Sequence, residues 1–136
     1  MKKYSLLLVI LLMGCSTVEK AVDAYLMKFD ANEYKLITDL RTNSSLAKAE
    51  CFDVEKSRKN VEKLYLTALS LRYYAEALPH NGPIQKSSVE LFDIVDGMNK
   101  QYKGNDKVSE VFCKVKLTSI ENNAKTMQVM EGSKPK

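Results

Sequence analysis

Between Val54 and Leu78 the residues Ser57, Val61, Leu64, Ala68, Leu71, Ala75 and Leu78 follow one another at alternating steps of four and three. Only an α-helix brings such a series onto one face, and a stripe this regular is the seam of a helix packed in an antiparallel bundle. The same alternation returns in Ile84, Ser88, Leu91, Val95, Met98 and Tyr102, and again in Cys113, Leu117, Ile120, Ala124 and Met127. Three stripes of one period predict an all-α fold.

The breaks between the stripes set the topology. Pro79-His80-Asn81-Gly82-Pro83 ends one helix with two prolines and an Asn-Gly, and so short a connection makes its flanking helices antiparallel neighbours. Lys103-Gly104-Asn105 ends the next, Asp106 is the expected cap of a further helix running to about Met130, and Gly132 and Pro135 stop it. Val111, Cys113, Val115 and Leu117 also alternate in the manner of a strand, but no other segment offers a partner strand, so helix is expected there too. Upstream, Val22, Tyr25, Leu26, Phe29, Leu36, Ile37 and Leu40 predict a first helix from about residue 17 to 41, opened by a Ser16/Glu19 capping box. The cap formers Thr42-Asn43-Ser44-Ser45 should stop it, with Leu46 to Ala49 a separate short turn and Asp53 the cap of the second helix. The expectation is a small up-down bundle of about four helices.

The N-terminus carries a different pattern. Lys2 and Lys3 precede an unbroken apolar run from Leu6 to Met13, the layout of a secretory signal, and the run is too short to span a bilayer. It closes on Leu12-Met13-Gly14-Cys15. This tetrad resembles the signal of bacterial lipoproteins: an aliphatic residue, a tolerant position, a small residue and the cysteine that accepts lipid. The resemblance implies removal of residues 1–14 and a mature protein anchored to a membrane through acyl chains, palmitate among them, on Cys15. Ser16 stands where an aspartate is associated with inner-membrane retention. For a Gram-negative host that implies the outer membrane, facing the periplasm. The resemblance covers the signal only; no family is recognised in the mature domain.

Loss of the signal leaves residues 15–131 for one helical domain, with 132–136 expected as a flexible tail. Nineteen basic then face 17 acidic side chains, which is no nucleic-acid footprint, and 45% hydrophobic with 28% charged residues excludes disorder and a further span. With Cys15 taken by lipid, the remaining pair, Cys51 and Cys113, is expected to form a disulfide in an oxidising compartment. That bridge strains a regular bundle. If the fourth helix rises straight from residue 106, Cys113 lies level with the high sixties of the second helix, out of reach of Cys51. The chain before Asp53 must fold back along the bundle, or the stretch from Gly104 to Cys113 is no regular ascent; the ready cap at Asp53 favours the first.

Catalytic chemistry finds little purchase. His80 is the only histidine and sits in the Pro-rich loop, so sites needing two imidazoles are excluded and it reads as an exposed loop residue. Phosphate loops and the Gly-x-Ser-x-Gly elbow are absent. Glu90, Asp93 and Asp96 share a helix face without metal-ligating company and read as solvated, as do Glu55, Arg58, Glu62 and Lys63. The methionines fall on or beside the stripes as core filler. Arg72 and Tyr73 are the candidate partner contact, because they turn partly outward beside Leu71 and are residue types favoured at interfaces. No catalytic residue, metal or cofactor is expected. The expected role is a lipid-anchored envelope protein that works through contacts with an unidentified envelope protein, accessory or pilotin-like by architecture. The alternative is a phage- or plasmid-encoded surface protein that blocks or modifies a host receptor.

Overall fold

The computed structural model describes residues 26–104 and 107–136. Four helices, α1 (Ala31–Ala47), α2 (Val54–Ala77), α3 (Gly82–Gly104) and α4 (Glu110–Gly132), run up and down, and there is no strand among the described residues. α1 packs against α2 and α4, and α3 closes the ring against the same two.

The seams of α2, α3 and α4 are those of the sequence pattern. Ser57, Val61, Leu64, Ala68, Leu71 and Ala75 are buried on α2, Ile84 through Tyr102 on α3, and Cys113, Leu117, Ile120, Ala124 and Met127 on α4. α4 is helical through Val111–Leu117, so the strand pattern there is incidental. Asp53 caps α2 as expected, accepting from the Lys56 amide. The expected cap at Asp106 lies outside the described residues; α4 starts later, at Glu110, where the Ser109 hydroxyl accepts from the Phe112 amide.

The first helix departs from expectation at both ends. Ser16, Glu19, Val22 and Tyr25 lie outside the described residues, and Met27–Asp30 are not helical. The Asp30 carboxylate accepts from the amides of Asn32 and Glu33, so an aspartate expected inside a helix opens one. At the other end α1 runs through Thr42–Ser45, because those polar side chains have helical or tertiary partners. Ser44 Oγ donates to the Arg41 carbonyl, Lys63 Nζ to Asn43 Oδ1, and Arg41 itself to Gln128 of α4. The helix-propensity cost, up to about 0.7 kcal/mol per residue, is outweighed by burial of Ile37, Leu40 and Ala47. A 3₁₀ turn, Lys48–Glu50, then turns the corner toward α2.

Cys51 and Cys113 are bonded, with Cα atoms 5.7 Å apart. The geometric conflict is relieved at α4 rather than at the chain before Asp53. Lys107–Ser109 are not helical, so Cys113 falls in the first turn of α4, level with Ser57, whose hydroxyl is 3.8 Å from its sulfur. The bridge therefore staples the α1–α2 corner to the start of α4.

Candidate functional site

The densest polar chemistry lies where the chain enters the bundle and where it leaves. Glu33 in the first turn of α1 and Glu131 in the last turn of α4 are both completely buried. Lys134, whose side chain is 8% exposed, inserts its ammonium between them and bonds both carboxylates. The loop residue Asn81 completes the cluster: its Nδ2 donates to Glu33 Oε1 (2.6 Å) and to the Ala75 carbonyl, and its Oδ1 accepts from Lys134 (2.7 Å). Glu131 Oε1 accepts from the Asp30 amide (2.7 Å), and the Phe29 amide donates to the Pro135 carbonyl (2.9 Å). Tyr74 of α2 donates its hydroxyl to the Asp30 carboxylate. Residues 133–135, expected as a loose tail, are thus pinned to the incoming chain.

Two buried carboxyls against one ammonium leave a net negative charge, which favours protonation of a carboxyl. Burial raises the Glu33 carboxyl from 4.5 to about 7, the adjoining Glu131 carboxyl adds to the rise, and Asn81 and Lys134 oppose it. A raised carboxyl stabilises the fold while protonated. Its contribution is whole below pH 4.5 and declines as pH climbs to about 7. We expect the difference in urea-unfolding free energy between the wild type and Glu33→Gln to shift against the wild type across that window, by roughly 1–3 kcal/mol. A difference that stays flat with pH would show that Glu33 does not hold the proton.

Both carboxyls are shut away from solvent, so this arrangement can store a proton and fasten the chain ends but offers a substrate no access. Two clefts flank it. One of about 160 Å³ is bordered by Phe29, His80 and Lys134; an apolar one of about 280 Å³ lies between Met27, Ile84, Met130 and Pro135. His80, exposed as expected, has φ +56°, the left-handed conformation that turns the α2–α3 loop so that Asn81 points inward. No three His, Cys, Asp or Glu side chains among the described residues come together to hold a metal ion. Asp96 is paired with Lys100 at 2.6 Å rather than grouped with Glu90 and Asp93.

Arg72 and Tyr73 do not form one patch. The Arg72 guanidinium lies 5.1 Å from the centre of the Phe92 ring and packs α2 onto α3, whereas Tyr73 is 62% exposed on the outer face of α2. Seven residues back, two turns along the same face, stands Leu66, also exposed. The cluster residues escaped the sequence reading, although a signal existed. The four-and-three alternation of α1 is Glu33, Ile37, Leu40, Ser44, Ala47, Cys51, and that of α4 continues from Met127 to Glu131. Carrying the register across polar residues would have placed both glutamates on the seam.

Comparison with protein-family models, with curated proteins and with solved structures finds no match to this chain.

Proposed function

We propose that the protein is a lipid-anchored envelope lipoprotein whose helical domain works through contact with a partner protein, in an accessory or pilotin-like role at a periplasmic membrane surface. The observation that carries this reading is the tetrad Leu12-Met13-Gly14-Cys15 closing a Lys-flanked apolar run. With Ser16 following the cysteine, the outer membrane is the proposed address in a Gram-negative host. The outer face of α2 supports a contact role: Leu66, Ser70, Tyr73 and Ala77 are exposed along one stripe that carries no charge. Lipid anchorage raises the effective concentration of such a face for a neighbour on the same membrane, so a small contact suffices.

Two measurements on cells producing the protein test the parts separately. Intact mass of the mature chain should show acyl groups on an N-terminal Cys15 and none after Cys15→Ser; an unmodified wild type removes the anchor. A photoreactive residue at position 73 should give one discrete adduct that Leu66→Ser abolishes. An adduct indifferent to that change, or none, removes the α2 contact.

A further inference from the structure

The end of the bundle remote from residue 26 carries the two most exposed large apolar side chains among the described residues. Val111 is 72% exposed, Phe52 71% and Val115, one turn further along α4, 61%. Phe52 follows the bridged Cys51 and Val111 stands two residues before the bridged Cys113, so the Cα atoms of Phe52 and Val111 stay within roughly 15 Å of each other. Core burial does not explain these side chains. The disulfide holds them out from one rigid corner.

Their surroundings are basic. From Lys100 to Lys116 there are five lysines against two acids, and one of those acids, Glu110, is bonded to Lys114 at 2.6 Å. On the α2 side Lys56 and Lys59 are exposed, while Glu55 is tied to Arg58 at 2.8 Å and Asp53 serves as a cap. From residue 100 to 116 the lysines outnumber the acids by three, while on the α2 side Glu50, Asp53, Glu55 and Glu62 offset Lys56, Arg58, Lys59 and Lys63, so the basic fringe lies on the α3–α4 side of the protruding phenylalanine and valine. A hollow at this end, bordered by Asn43, Leu46, Glu50, Asn60 and Lys63, leaves all three out. A protein partner would need a counter-surface shaped to three separate projections. A lipid headgroup layer accepts each side chain independently and attracts the fringe by charge.

We propose that this end of the bundle docks on an anionic phospholipid surface, with Phe52, Val111 and Val115 entering the headgroup region and Lys56, Lys59 and Lys107 at phosphate level. The helices separate the two ends by about 35 Å. A domain held by lipid at its N-terminus and by this tip at the other end would bridge two membrane surfaces. That bridge rests on the reading of Cys15; the affinity of the tip for lipid does not.

The full-length lipoprotein, reconstituted into phosphatidylcholine vesicles, is mixed with dye-labelled protein-free vesicles of phosphatidylcholine with or without phosphatidylglycerol. Flotation reports anchoring, and dye carried with the protein-bearing vesicles reports docking. Vesicles containing phosphatidylglycerol should be captured at least about tenfold better than neutral ones, and salt should weaken the capture. A Phe52→Ser/Val111→Ser variant, altered only at exposed positions, should lose about tenfold or more, while Tyr73→Ala keeps it. Equal capture of both vesicle types, no capture, or full capture by the double variant overturns the tip. If the protein does not float with the first vesicles, the reading of Cys15 fails instead. The same protein added directly to phosphatidylglycerol vesicles then reads the tip alone, by the same comparison of variants.

Discussion

Lys134→Met lowers the unfolding free energy at pH 7 by about 3–5 kcal/mol, the cost of taking one partner from a buried ion group. The size follows from what the ammonium holds. It is bonded to Glu33, Glu131 and Asn81, and both carboxyls are fully buried, so its removal leaves their charge without a counter-ion and the Asn81 carbonyl without its donor. The apolar stem of methionine fills the same channel, which separates lost charge from lost packing. Protonation relieves the variant, so its deficit should shrink as pH falls toward 4.5 and Glu33 takes up a proton more readily than in the wild type. Glu33→Gln in the same background should recover part of the loss, because it removes one of the two negative charges while keeping a hydrogen-bond partner for Asn81. Urea unfolding of the single and double variants at two pH values checks all three statements. A deficit below about 1 kcal/mol, the scale of an exposed pair, would mean that the chain ends are held by other contacts.

That cluster also shows where the sequence stops being informative. The seams of α2, α3 and α4 could be read because nearly every inward position is apolar and the alternation survives from end to end. On α1 two of the inward positions are Glu33 and Ser44, so the apolar residues that remained, Leu36 and Phe29 among them, suggested a helix that runs unbroken through Met27–Asp30, where the chain is not helical. Asp30 was hidden for the same reason, since a cap is recognised only once the helix start is known. The glutamates were recoverable from register alone. Asn81 and Lys134 were not: they lie 48 and 101 residues from Glu33, and only the closing of the ring brings them to it. Arg72, half-buried, packs its guanidinium over Phe92 of α3, a long-range contact that its residue type alone does not reveal. Local period thus located the helices and the core, whereas the polar site at the chain ends depended on long-range assembly.

Reduction of the Cys51–Cys113 bridge should cost about 4 kcal/mol for its 62-residue separation in the chain-entropy picture, or roughly 15 °C in Tm for a domain of this size. Both cysteines are almost wholly buried beside the seam, so the reduced thiols occupy the same space and the comparison isolates the cross-link. Cys51→Ala/Cys113→Ala should be less stable still, because it also removes two buried sulfur atoms. The effect should be uneven along the bundle. The staple fastens the corner after α1 to the first turn of α4, while the opposite end is held by Glu33, Glu131 and Lys134. Amide exchange under native conditions should therefore quicken after reduction at the start of α4, with the Asp30 and Phe29 amides little changed. Uniform acceleration would show that the two ends unfold as one unit, and the staple would then act only on the unfolded chain. Confined acceleration would show that it also fixes the corner that holds Phe52 and Val111 outward, and reduction should then weaken vesicle docking in an otherwise folded protein.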